Sequence, residues 1–300
     1  MSNNDRSENV ILLRAAIARI EAGAQPPAGG LRPLVRLGER LALDAALGGG
    51  LAAGSVSEIV PAKPQDAAAA CGFALGLAIR LARSQTNRQC RDGRAAKPIL
   101  WIIEDFAGIE HGAPYGPGLA QHGLAPHQLV LVRTPRAQDA LWALEEALKT
   151  RNIIVIGELW THRKCHDLAA SRRLALAARA SGTPGLILHA GASGNTASAA
   201  ASRFEIASHA SATDASATDA SATGGAASRL PVPGSASWAV RLLKARAGPE
   251  SRFGLDRDKR HFLVWDAAKG FFRDALPVPA PAHAANRPYF AAAADLAKTA

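Results

Sequence analysis

LDAALGGGLAAGSVSEIVPAKPQDAA, Leu43 to Ala68, decides how the rest of this chain is read. Leu41 to Leu51 reads as a short helix running into a triple glycine, Gly48 to Gly50, a turn signal that few other residues supply. Val56 to Val60 (VSEIV), rich in β-branched residues, reads as a strand. Asp66 to Arg83 then reads as an alanine-rich helix carrying Phe73, Leu75, Leu77, Ile79 and Leu81. A strand followed closely by a long helix opens a parallel α/β unit.

The same alternation continues downstream. Ile99 to Ile103 (ILWII) and Leu129 to Val132 are continuous apolar runs of the kind buried parallel strands show. Gln138 to Lys149 places Leu141, Leu144 and Leu148 on one helical face, and Ile153 to Ile156 (IIVI) is the next buried strand. Leu168 to Ser181 reads as a helix and Gly185 to His189 as a strand. This order predicts an α/β fold: a mainly parallel, twisted sheet flanked by helices. The pattern then changes. Arg203 to Ile206 is a short strand, and Trp238 to Lys244 with His261 to Trp265 forms an antiparallel C-terminal hairpin. Trp238 and Trp265 of that hairpin are candidate partner contacts but are expected rather in the core.

Three regions follow. Residues 1–30 hold an amphipathic helix, Glu8 to Ala22, and a linker; Val10, Leu13, Ile17 and Ile20 make its apolar face, with Arg14 and Arg19 elsewhere. That helix either packs on its own domain or docks on a partner, in which case Arg14 and Arg19 are candidate contacts. Residues 31–276 form the core, interrupted at 207–229 by an Ala/Ser/Thr segment in which ASATD occurs in tandem. With no apolar side chains to bury, this segment is expected to be disordered. Residues 277–300 are Pro/Ala-rich and are expected to be a flexible tail.

The 300-residue chain is long enough for a sizeable core. Its net charge of +10 fits either a basic soluble protein or one with an acidic partner, nucleic acid included. Three cysteines without a CxxC pair argue against a disulfide framework or a zinc site and point to a reducing cytoplasm. His162, Cys165 and His166 do not match a metal spacing, so no metal or cofactor is expected. The polar N-terminus carries no signal-type run, and no charge-free stretch of about 18 apolar residues occurs. No membrane association is expected.

The order of segments resembles the RecA recombinase core. LDAALGGGLAAGSVSEI is similar to that family's approach to its nucleotide site, ILWIIED (99–105) to its second core strand, and LVLVRTPRAQDALWALEEAL with NIIVIGEL (129–159) to the strand, helix and Walker B strand that follow. ASRFEI and WAVRLLKARAG resemble its antiparallel end. The resemblance implies a phosphate loop directly after the first strand, and there this sequence departs. GxxxxGK[ST] cradles phosphates with backbone N–H groups, a lysine and a hydroxyl. The matching residues run Pro61, Ala62, Lys63, Pro64, Gln65, Asp66, Ala67, Ala68. Both glycines are gone, and Pro61 and Pro64 have no N–H. Ala67 and Ala68 replace the lysine and the hydroxyl, and Asp66 adds a negative charge. At the Walker B position the strand is read as ending in Gly157, with Glu158 one residue on and facing the other way. A P-loop this degenerate predicts no ATP hydrolysis and no catalytic residue; any water-activating role of Glu104 or Asp105 falls with the nucleotide. In the loop that binds DNA in RecA, WTHRKCHD (160–167), His162, Arg163 and Lys164 are candidate phosphate contacts or a solvated cluster.

The missing P-loop, LRPLVRLGERLALDAALGGGLAAGSVSEI, IIVIGELW and SWAVRLLKARAG...HFLVWDAAKGFF together resemble the ImuA family of bacterial damage-induced mutagenesis cassettes. This resemblance implies a non-catalytic accessory protein of SOS-type, error-prone translesion synthesis. It would bind an ImuB-type inactive Y-family polymerase homologue, act indirectly with an error-prone C-family replicative polymerase, and take RecA as a further partner. Its place would be the cytoplasm, at the nucleoid during DNA damage. The alternatives are a SulA-type cell-division inhibitor, a divergent ATPase using Lys63 and Glu158, and a plain DNA-binding protein.

Overall fold

A computed structural model describes residues 33–89, 96–160, 167–191, 197–209, 235–246, 256 and 258–275. The chain divides into two compact units, Met1–Pro33 and Leu34–Ala300, and the fold set out here is that of the second. The expected helix with Arg14 and Arg19, the cluster His162, Arg163 and Lys164, the ASATD repeat and the tail lie outside the described residues.

The first structured element is a two-residue strand, β1 (Leu34–Val35), paired antiparallel with β2 (Leu51–Ala52) around helix α1 (Ala42–Ala46). The helix expected from Leu41 to Leu51 therefore stops at Ala46. Gly48, Gly49 and Gly50 take φ values of 77°, 113° and 129°, which turn the chain back as a strand. A Cβ on Gly50 would stand 2.2 Å from the Val35 carbonyl oxygen, so the pairing with β1 requires glycine there. The Asp44 carboxylate closes the loop by accepting the Leu37 N–H at 2.8 Å and the Gly38 N–H at 3.1 Å.

The remaining elements are β3 (Val56–Pro61), a 3-10 turn (Pro64–Asp66), α2 (Ala67–Gln89), β4 (Ile99–Glu104), α3 (Asp105–His111), α4 (Gly116–Gln121), β5 (Leu129–Thr134), α5 (Ala137–Lys149), β6 (Ile154–Leu159), α6 (Leu168–Ser181), β7 (Gly185–His189), β8 (Ser202–Ser208), β9 (Ser237–Ala245), β10 (Arg260–Asp266) and β11 (Phe271–Asp274). They build a nine-stranded sheet in the order β11-β10-β9-β8-β3-β7-β6-β4-β5. Strands β3 to β8 pair in parallel, and β8 to β11 pair antiparallel. This is the mainly parallel α/β sheet, with its antiparallel end, that the apolar pattern predicts. Helices α3 and α4 and strands β1, β2 and β11 were not expected.

Two apolar layers sandwich the sheet. Beneath α2, Phe73, Leu77 and Leu81 meet Ile59, Ile156, Phe204 and Trp238. The Phe73 ring stands edge-on to Phe204 and Trp238, each 5.8 Å between centroids, and 5.2 Å from Phe272. Trp238 and Trp265 are core residues, as expected. By length and composition, Pro64–Ser84 is long and apolar enough to cross a membrane, but 61% of its most apolar window is buried in this core. On the other face, Leu141, Leu144 and Leu148 of α5 and Leu174 of α6 cover Val56, Ile102, Val155 and Ile187.

The sequence pattern fails on β5. Its apolar run promised a strand buried on both faces, yet β5 is the outermost strand, with Val130 and Leu131 exposed. An apolar run reports side-chain chemistry and not the presence of neighbours on both sides.

Candidate functional site

In open parallel sheets, ligands bind outside the carboxyl ends of the strands, where strand-to-helix connections gather. Here those ends bring together Pro61, Glu104, Glu158 and His189, in β3, β4, β6 and β7. The connection from β3 to α2 is short. The Ala62 N–H donates to the Ile206 carbonyl at 2.7 Å, the Asp66 N–H to the Lys63 carbonyl at 2.9 Å, and the Ala67 N–H to the Pro64 carbonyl. With two prolines beside them, most of the donors in this stretch are absent or already bonded to the chain's own oxygens. Asp66 is buried, and its Oδ1 accepts from the Ser208 N–H at 2.9 Å and the Ser208 hydroxyl at 2.8 Å, which ties the start of α2 to β8. Lys63 is exposed, Ala67 buried and Ala68 exposed.

The Walker B reading needs correction. Strand β6 does not end at Gly157 but runs on to Leu159. Gly157 lies inside it, and a Cβ there would come 2.6 Å from a Leu144 methyl of α5. Gly157 therefore faces the α5 layer, and a side chain at that position would point away from α2. Glu158 faces the α2 side. It is buried, its Oε2 accepts from the Trp101 Nε1–H at 3.3 Å, and His111 Nδ1 of α3 stands 3.7 Å from its Oε1. Burial pushes this carboxyl up from 4.5 to about 7, with the Trp101 hydrogen bond pulling the other way. The Cys71 thiol of α2 is driven well above its ordinary range, first by burial and then by the nearby Glu158 carboxylate.

Sequence reasoning missed two further features. Glu104 accepts the Trp160 N–H at 2.8 Å across the strand ends, and the Trp160 ring lies 5.1 Å from Phe106 and 5.4 Å from His111. Deeper, on the opposite face of the sheet from Ile59, Glu58 is bonded to Arg203 of β8 at 2.6 Å and stands 3.7 Å from His189 Nε2. Burial raises the Glu58 carboxyl, but hydrogen bonds from His189 and Ser198 and the charges of His189 and Arg203 outweigh it, holding the group at about 2. Arg203 and His189 carried no local motif, so pairing with Glu58 was invisible before the strand order was known. Among the described residues, no three His, Cys, Asp or Glu side chains are grouped so as to hold a metal ion.

Fold and site together define an α/β protein with a mostly parallel sheet, whose β3-to-α2 connection holds the Ala62, Asp66 and Ala67 N–H groups in bonds to the chain's own carbonyls. Over 170 residues, 57% of this chain, the sequence is 29% identical to "Protein ImuA" of Caulobacter vibrioides, found in two strains. The match takes in 61% of the length of those relatives. Among solved structures the chain is similar to the RadB recombinase, at a TM-score of 0.43 and 14% identity, covering 78% of this chain and 96% of that one. No family model matches.

Proposed function

We propose that this chain is a non-catalytic accessory protein of SOS-type, error-prone translesion DNA synthesis, built on a RecA-like core. It binds an ImuB-type inactive Y-family polymerase homologue, through which it reaches an error-prone C-family replicative polymerase, and it meets RecA as a further partner. It does so in the cytoplasm, at the nucleoid. The observation that carries this reading is the segment Pro61–Ala68. Its prolines, its internally bonded N–H groups and its inward-turned Asp66 leave a triphosphate little to hold. The similarity to ImuA supports the damage-response setting.

Two measurements test it. Calorimetric titration with ATP and Mg²⁺ is expected to give no binding. Micromolar binding lost in Lys63→Ala would replace this reading with a divergent ATPase. Co-expression with an ImuB-type protein is expected to yield a complex that purifies intact, and failure to co-purify, together with unchanged damage-induced mutagenesis in a deletion strain, removes the proposal.

A further inference from the structure

Trp160, the residue after β6, touches the connections that leave two other strands. Its ring lies 5.1 Å from Phe106 and 5.4 Å from His111, both in α3, which follows β4. A Cβ on Gly191, two residues past β7, would stand 2.8 Å from the same indole, so the ring packs on backbone there. Glu104 accepts the Trp160 N–H at 2.8 Å. His111 joins this cluster to Glu158. Its Nδ1 stands 3.7 Å from the Glu158 Oε1, with the His111 side chain 21% exposed and that of Glu158 3%. The gap exceeds hydrogen-bond length by about 1 Å, a distance that rotation of a partly exposed ring at the end of a short helix can close. Among the described residues, the groups facing Glu158 are these. Helix α2 brings the Cys71 thiol, which burial drives well above its ordinary range, and α3 brings His111. Strand β4 brings the Trp101 Nε1–H at 3.3 Å, and the register neighbours are Ile103 and Leu188. The other charges of α3 are turned elsewhere: Asp105 holds Arg133 at 3.0 Å, and Glu110 is exposed.

We propose that Glu158 and His111 form a pH-sensitive latch: when the buried carboxyl ionises, His111 closes on it and the Trp160 ring that leans on His111 shifts with it. With the carboxyl protonated, Glu158 offers His111 no charge, and the 3.7 Å gap stays open. Once ionised, the carboxylate is buried with one hydrogen bond, from Trp101, among the described residues. A buried charge demands further donors, and the Nδ1 of His111 is the nearest group able to supply one. Burial places this ionisation at about pH 7, so both states are populated under neutral conditions. Because Trp160 also meets Phe106 and Gly191, its shift is felt where the chain leaves β4, β6 and β7. The latch thus carries a proton-binding event inside the sheet to the surface at its carboxyl end. This inference does not depend on the proposed function.

The test is tryptophan fluorescence of the full chain titrated through neutral pH, with far-UV circular dichroism followed in parallel to exclude unfolding. Wild type is expected to show a step in emission centred near pH 7 with an unchanged dichroism spectrum. Trp160→Phe is expected to remove the step, which assigns it to that indole and not to Trp101. Glu158→Gln cannot ionise and is expected to give a flat profile. His111→Phe keeps a ring against Trp160 but cannot donate, and is expected to be flat as well, with Glu158 intact. This second variant lies at the end of a short surface helix, so the proposal stays testable should the buried substitution fail to fold. A flat wild-type profile overturns the proposal. So does a step that persists in Glu158→Gln, which would belong to His111 alone, or one that persists in His111→Phe or Trp160→Phe.

Discussion

Glu158 is 2% exposed in β6, and every group facing it comes from a different element: Trp101 from β4, Cys71 from α2 and His111 from α3. His111 Nδ1, at 3.7 Å, is too far to donate a hydrogen bond, so desolvation dominates and the carboxyl holds its proton up to about pH 7. The unfolded chain gives up that proton near 4.5. Between those values the folded state binds more protons, so stability falls as pH rises. The contribution is fully present below 4.5 and lost as pH passes through about 7. At about 1.4 kcal/mol per pH unit, the difference amounts to about 3 kcal/mol. Glutamine keeps an acceptor for Trp101 and cannot ionise. Glu158→Gln is therefore expected to be more stable than wild type by up to about 3 kcal/mol above pH 7, and the two proteins should converge in acid. At 2–4 °C per kcal/mol the alkaline gap in melting temperature is roughly 6–12 °C. Urea unfolding of both proteins at a series of pH values on either side of 7 measures it. A difference between variant and wild type that does not change across that range refutes the assignment of a buried, proton-holding carboxyl.

The other buried carboxylate behaves in the opposite sense. Glu58, held at about 2, contributes stability that is present above 4.5 and lost as pH falls through 2, whereas Glu58→Gln is expected to lack that acid limb. The variant also leaves Arg203 buried without its counter-charge, an expected loss of about 3–5 kcal/mol at neutral pH, read by denaturant unfolding. Gly157→Asp is expected to destabilise the protein by at least about 1–3 kcal/mol, because its Cβ meets Leu144. It should bring no gain in Mg²⁺-ATP binding by calorimetry, since its carboxylate points into the α5 layer.

Elements with local signals were legible before any tertiary contact was known. Helix α6 lies where the sequence places it, Leu168 to Ser181, because both stops are local: the Asp167 side chain accepts the Ala170 N–H at 2.7 Å, and Gly182 takes φ 79°. The strands β4, β6 and β7 were legible because a strand covered on both faces needs apolar residues at nearly every position. Helices α3 and α4 are too short for a helical period to emerge.

Chain order and residue chemistry thus sufficed for the α/β class and for the alternation of strands and helices. They could not say that β5 is an edge, that Gly157 and not Glu158 faces α5, or that Glu58 and Arg203, 145 residues apart, share an ion pair. Those facts depend on which strands become neighbours and on which face of the sheet each helix settles. Pairing and desolvation act through space, so the proton affinity of a carboxyl such as Glu158 exists only once Trp101, Cys71 and His111 have closed around it.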